Sequence, residues 1–344
     1  MPSQLPAEAQ RVGEVLVTPP DVGTQDSEAA MLVDVPVPPR RRGRSSRVSA
    51  REERVAGYAF VSPFFIMFGI FGLFPIVFTL WVSLHDWRLL GGKEGWVGLA
   101  NYSALLHDDK FWNALVNTLG IFLLATIPQL LCALGLAQLL NERLRARTFW
   151  RMGVLLPNIT SVAAVGIIFT LLFARDFGLV NWLLGFVGVE PIAWQDHRWS
   201  SWLAISTMVD WRWTGYNALI FLAALQAVPK DLYEAAAIDG ASKWRQFWSI
   251  SVPLLRPTIV FVTLISTIGG IQLFTEPLLF NSGANAITGG TTRQFQTLTM
   301  YLYEKAFTGL DFGYAAAIAW GMFVVIAIVG AINALLLRRL RSVD

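Results

Sequence analysis

Three charged residues sit inside long apolar runs of this 344-residue chain: Asp210, Arg212 and Glu276. A charge at the centre of a hydrocarbon layer costs about 3 kcal/mol, so it must find a partner or a water-filled cavity. Asp210 and Arg212 are two residues apart, which on one helix points them in different directions. Each therefore needs something else to face. Their segment continues as Trp213-Thr214-Gly215-Tyr216-Asn217, and the run before Glu276 carries Ser266, Thr267, Gly269, Gly270, Gln272 and Thr275. Amide and hydroxyl side chains beside Trp and Tyr suit a ligand with a hydroxyl array and apolar ring faces, which is the chemistry of a sugar. The spacing points to a substrate path built from Asp210, Arg212, Trp213, Tyr216, Asn217, Gln272, Thr275 and Glu276. Helix packing is the competing reading for any one of them, and it is the default for Asn158, Thr160 and Asn333.

Catalytic and nucleotide-binding chemistry finds no support. The nearest approach to a phosphate loop, Gly91-Gly92-Lys93, lacks the required spacing. No nucleophile–base–acid set converges, so the chain reads as a non-enzyme. The single cysteine, Cys132, excludes an internal disulfide and reads as a small core residue, while His85, His107 and His197 are too scattered for a metal cluster. No cofactor or metal is expected on this chain.

A second polar segment, residues 229–253, interrupts the apolar pattern after Asn217. It runs Pro229-Lys230-Asp231-Leu232-Tyr233-Glu234-Ala235-Ala236-Ala237-Ile238-Asp239-Gly240-Ala241-Ser242 and then Lys243-Trp244-Arg245-Gln246-Phe247-Trp248-Ser249-Ile250-Ser251-Val252-Pro253. It predicts two short helices joined by a turn. Asp231 is the expected N-cap, Leu232, Ala235, Ala236 and Ile238 the apolar face, and Gly240 the left-handed terminator.

The elements that must position these residues are membrane helices. The chain is 54% hydrophobic and 15% charged, against about 25% charged in a typical soluble domain. Six apolar stretches, near 57–84, 113–140, 149–173, 200–227, 254–280 and 313–337, are each long enough to cross about 30 Å of hydrocarbon. Lipid offers backbone amides no water, so the expected fold class is an all-α integral membrane protein with six transmembrane helices. Barrel strands would be shorter and would alternate in polarity. Most of the 27 Lys and Arg residues fall in segments that share one side of the membrane if both termini are cytoplasmic. Trp81, Trp87, Trp96, Trp112, Trp150, Trp199 and Trp202 crowd the expected interfaces, as amphipathic rings do. Residues 1–50, rich in Pro, acidic residues and finally Arg, read as a disordered cytoplasmic tail, and residues 51–344 as the transmembrane domain. The basic run Arg40-Arg41-Arg42-Gly43-Arg44 abuts a span, so it reads as a cytoplasmic flank rather than a nucleic-acid surface.

The segment 229–253 resembles a known signature. Glu234-Ala235-Ala236, Gly240, Ile250 and Pro253 fit the pattern E-A-A-x3-G-x9-I-x-x-P of ABC importer permeases, and the phrase Leu225 to Glu234 is similar to the carbohydrate branch of that family. The resemblance covers about residues 55–340. It implies that Glu234, Ala235, Ala236, Asp239 and Gly240 form a cytoplasmic coupling helix that docks into a separate ATPase subunit. The implied partners are a second permease subunit, two ATPase subunits carrying ATP and Mg, and an extracytoplasmic solute-binding protein over the outer loop 281–312. The implied function is import of a di- or oligosaccharide by alternating access across a bacterial-type cell membrane. Tyr216 and Asn217 fall near the branch's substrate cluster and Gln272 where it has Asn, whereas Gly269 replaces another Asn. An ion-coupled secondary transporter resting on Asp210, Arg212 and Glu276, and an importer of another polar solute such as a glycerol phosphate, are the alternatives. The first leaves the 229–253 segment unexplained, and the second has only Arg212 to offer a phosphate.

Overall fold

The computed structural model describes residues 46–88, 92–142, 145–281 and 283–341. The chain divides into two units, residues 1–63 and 64–344, and the second contains every element of the site described below. Helix α1 (Ser46–Phe68) begins within the last residues of the expected tail, and residues 1–45 of that tail lie outside the described residues.

After a π-helical turn, Gly69–Leu73, come α2 (Phe74–Ser83), strands β1 (His85–Arg88) and β2 (Gly92–Trp96), α3 (Ala100–Leu106) and α4 (Asp109–Asn141). Next are α5 (Arg147–Ile159), α6 (Val162–Leu172), α7 (Leu179–Gly185) and α8 (Arg198–Gln226). The 229–253 segment holds α9 (Lys230–Ile238), α10 (Lys243–Gln246), a π-helical turn Phe247–Ser251 and α11 (Val252–Leu254). The chain continues as α12 (Arg256–Ile271), α13 (Thr275–Phe280), α14 (Leu298–Tyr303), a third π-helical turn Glu304–Thr308 and α15 (Phe312–Arg341). The architecture is mostly helical. The all-α expectation needs one correction, the antiparallel hairpin β1–β2, which pairs His85 with Trp96 and Arg88 with Gly92. Arg88 also bridges to Asp311, so the hairpin is fastened to the segment leading into α15.

Three helices, Val55–Ser83, Asp109–Asn141 and Phe312–Leu335, are long and apolar enough to cross a membrane. The expected third and fifth stretches are not single straight helices. Within 149–173, α5 and α6 meet at 86°, where Thr160 and Ser161 turn extended. Pro157 lacks an amide hydrogen, and the Thr160 hydroxyl bonds back to the Leu156 carbonyl, so the helical ladder is already weakened there. Within 254–280, α12 stops at Ile271 and α13 restarts at Thr275. At its other end, α12 meets the Lys243–Leu254 helix at 69°. α8 is long enough to span, at 29 residues, but its polar residues leave it short of the same apolarity.

α4 and α8 form the most extensive helix pair, and the core follows their seam. Toward one end, Ile121 and Ala125 of α4 meet Ala204, Ile205 and Met208 of α8, with Phe169, Phe173, Trp194, Phe280 and Phe295 closing the cluster. Toward the end that carries α9, Ala133, Ala137 and Leu140 meet Ala218, Phe221 and Leu225, joined by Phe247, Leu255 and Val262. Small residues let the backbones approach. At Gly215 the approach is closest, because a Cβ there would lie 1.8 Å from the Val154 carbonyl oxygen of α5. Cys132 is exposed on α4 rather than packed in the core.

Candidate functional site

Between the two core clusters, α4, α8 and the broken α12–α13 segment enclose a cavity of about 400 Å³. α8 contributes Arg212, Trp213, Tyr216 and Asn217, and the α12–α13 segment contributes Ser266, Gly269, Gln272, Thr275 and Glu276. Seven of the eight sequence-derived path residues therefore meet in one place. The exception is Asp210, which is not among the lining residues. Its Oδ1 is buried without a hydrogen-bond partner among the described residues. α4 adds Thr126 and Gln129, both buried, which sequence reasoning missed. The available signal was the stretch Thr126-Ile127-Pro128-Gln129, two polar side chains around a proline in an otherwise apolar run.

The partner that Arg212 required is Glu276, whose carboxylate accepts from the guanidinium. The pair links α8 to the first turn of α13, and its side chains are 12% and 7% exposed. Glu276 also sits where a helix N-terminus favours negative charge. The Arg212 guanidinium lies 5.8 Å from the Trp213 ring centre, and Trp213 meets Tyr216 edge-on at 5.9 Å. Asn217 is buried and its amide donates to Ser266 Oγ at 3.4 Å, tying α8 to α12. Asn333 donates to Thr267 Oγ1 at 2.9 Å, a packing contact between α15 and α12. The cavity thus offers an aromatic wall, neutral donors and acceptors, and one internally paired charge. Such a lining can hold a polyhydroxylated ring. Among the described residues no group of His, Cys, Asp and Glu is placed to hold a metal ion.

The 229–253 segment projects as a knob at one end of the helices. α9 starts after Pro229, so Asp231 stands in its first turn and is not the N-cap; a carboxylate there still favours the helix dipole. Gly240 takes a φ of +78°, the left-handed terminator expected. Glu234, Ala235, Asp239 and Gly240 are exposed, Ala236 is half-buried, and Ile238 is 87% exposed. The knob is anchored at its base. Phe247, buried among Leu140, Leu225 and Leu255, ties it to the helices, while within the knob Tyr233 Oη and Ser251 Oγ share a hydrogen bond at 2.9 Å and Gln246 donates to the Ala241 carbonyl.

At the other end, residues 283–312 form an ordered cap rather than a bare Gly-rich loop. Arg293 forks onto both oxygens of Glu304 at 2.6 and 2.7 Å, and Gln296 Nε2 donates to the same carboxylate. Asn113 and Asn117 of α4 donate to the Arg293 carbonyl. Asp108, ahead of α4, accepts from the Tyr301 and Tyr314 hydroxyls. Burial acts to raise the Asp108 and Glu304 carboxyls. The two Tyr hydroxyls outweigh it at Asp108, and Arg293 with Gln296 at Glu304, so both end below the usual range. Burial, and then the Asp108 hydrogen bond, pushes the Tyr301 hydroxyl upward.

Residues 129–342 match the family described as "Binding-protein-dependent transport system inner membrane component". The chain belongs to this family. It is 38% identical over 279 residues to the lactose transport system permease protein LacF of Rhizobium radiobacter, covering 80% of this chain and 91% of that one. It is 35% identical over 295 residues to the arabinooligosaccharides transport system permease protein AraP of Halalkalibacterium halodurans, covering 83% and 89%. Among solved structures, a bacterial ABC transporter that imports the acidic polysaccharide alginate contains a chain of the same fold. That chain superposes with a TM-score of 0.71 at 22% identity, covering 85% of this chain and 99% of its own length. The protein is thus a multi-pass inner-membrane permease component of the binding-protein-dependent importers.

Proposed function

We propose that this permease carries a neutral-ringed sugar, most simply a di- or oligosaccharide, into the cytoplasm as half of a pathway completed by a second permease subunit. The observation that carries the reading is the cavity between α8 and the α12–α13 break. It sets Trp213 and Tyr216 beside Asn217, Ser266, Gln272 and Thr275 at the middle of the helices. The sugars in the relatives' names support the same substrate class. Six spans, with α5–α6 and α12–α13 counted as bent or broken crossings, and both termini in the cytoplasm remain part of this proposal. So does the absence of an ATPase site on this chain.

In this reading the α9 knob is the coupling helix. Glu234 is exposed and makes no side-chain hydrogen bond or ion pair among the described residues, which leaves it available for a basic group on an ATPase subunit. Ala235, Ala236, Asp239 and Gly240 give a thin surface and a tight turn that a cleft can enclose. ATP and Mg would act on that partner. Phe247 packs with Leu225 of α8 and Val262 of α12, which joins the knob to helices that line the cavity. A displacement of the knob would therefore move the cavity walls as rigid bodies and open them alternately to each side. An extracytoplasmic binding protein would deliver the sugar over the 283–312 cap. The ion-coupled alternative leaves the α9 knob without a role, and two of the three charges it rests on, Arg212 and Glu276, neutralise each other.

The test is mild-detergent purification of the tagged full chain followed by reconstitution. Co-purification of a phosphate-loop ATPase and a second permease, with ATP-dependent sugar uptake in proteoliposomes, is the expected result. A solitary chain that moves solute down an ion gradient without ATP refutes the reading.

A further inference from the structure

The charge arrangement in the cavity selects among sugars, an inference that rests on the cavity being the sugar path. An unpaired guanidinium in a low-dielectric cavity would trap carboxylate or phosphate, which it binds in bidentate fashion. Here the chain supplies that carboxylate itself. Glu276 comes from a different element than Arg212, the two lie together within the lining, and both are nearly buried. Glu276 takes Nη1 of Arg212, and the guanidinium Nε is buried without a partner among the described residues, so an acidic sugar that reached Arg212 would meet a cation whose charge Glu276 already balances, and displacing Glu276 would leave a buried carboxylate without its counter-charge. It would also bring two carboxylates to one guanidinium. The remaining polar groups of the lining, Asn217, Ser266, Gln272 and Thr275, are neutral donors and acceptors suited to hydroxyls.

We propose that Glu276 is a charge filter: by neutralising Arg212 it lets the cavity accept neutral saccharides and reject those carrying uronate or phosphate groups. The filter is separate from whatever a binding protein selects, so it can be read on the assembled transporter, purified without the binding protein, in lipid nanodiscs. The probes are trigalacturonate as the acidic ligand and arabinotriose, lactose and trehalose as neutral ones. The wild-type chain is expected to show no saturable trigalacturonate binding. Glu276→Gln is expected to bind it at least tenfold more tightly than wild type, with affinity falling as salt rises. Arg212→Gln combined with Glu276→Gln is expected to abolish the gain.

Three results overturn the proposal: no gain in Glu276→Gln, a gain that survives in the double variant, or wild-type binding of trigalacturonate equal to that of Glu276→Gln. If Glu276→Gln does not yield a monodisperse protein, Gln272→Arg, which adds an unpaired cation and keeps the pair, must show the gain, and its absence overturns the proposal equally. A gain of trigalacturonate in Glu276→Gln while no neutral sugar binds either chain would sustain the filter and refute the sugar-path reading. Neutral-sugar binding without that gain would do the reverse.

Discussion

Gly215→Ala tests how tightly the cavity wall is set. The added Cβ would lie 1.8 Å from the Val154 carbonyl oxygen and 2.8 Å from the Val154 carbonyl carbon. Relaxed carbon–oxygen contacts sit near 3.3 Å, so α5 and α8 must part by about 1.5 Å. The obstacle is backbone on a packed helix, so no rotamer change relieves it. Overpacking of this kind costs about 1–3 kcal/mol, and a backbone clash belongs at the upper end. The gain in helix propensity from Gly to Ala offsets no more than about 1 kcal/mol. Tyr216 and Asn217 follow Gly215 directly, so the same displacement moves two lining residues. The matched control is Gly153→Ala on α5, where an added Cβ has open space around it. Thermal unfolding of the two variants in one detergent should place Gly215→Ala several degrees below wild type and Gly153→Ala at or slightly above it. Sugar uptake by the assembled transporter should fall for the first alone. Indistinguishable unfolding of the two variants would refute the close-approach argument.

Three further outcomes follow from the same geometry. Glu234→Lys should leave membrane insertion intact while sugar-stimulated ATP hydrolysis and uptake fall together by at least tenfold; unchanged uptake in vesicles would remove the coupling assignment. Arg212→Met should cost about 3–5 kcal/mol because Glu276 is left buried without its counter-charge, and Arg212→Met with Glu276→Met should recover most of that loss in thermal unfolding; equal loss in both would show that the ion pair is not what matters. Asp108 and Glu304 both titrate below their ordinary values in the folded chain, so their contribution to stability is complete above the unfolded-state values, near pH 4. It is lost as the pH falls through the still lower folded values. The unfolding temperature should therefore hold steady from pH 7 to about 5 and drop below about 4, less steeply in Asp108→Asn; a temperature that rises on acidification would contradict the hydrogen-bonded cap.

Much of the site was legible because lipid makes polarity conspicuous. Arg212, Asn217, Gln272 and Glu276 stand out in apolar runs, and seven of the eight residues chosen on that ground line one cavity. Periodicity could not reveal which charge met which. Asp210 and Arg212 share a helix, and the partner of Arg212 lies 64 residues later, across a break. The breaks themselves were hidden because Pro157 and the Gly269–Gly270 pair sit in stretches whose apolarity continues past them. Thr126 and Gln129 escaped notice because a helix as long and apolar as α4 reads as a plain span. The hairpin β1–β2 is short and lies in a polar connection, where alternation over four residues gives little signal. The cap at 283–312 depends on Arg293, Gln296 and Glu304 meeting Asn113 and Asn117 from far upstream, which no local pattern encodes.

Trp213 and Tyr216 are 37% and 41% exposed on the chain taken alone, although they flank a buried ion pair. The proposed second permease, laid over this helix face, would bury both rings. On that proposal the two rings belong to a subunit seam, and a chain without the second permease presents them uncovered. Expression of this chain without the proposed second permease is then expected to enrich a pool that membrane quality-control proteases recognise.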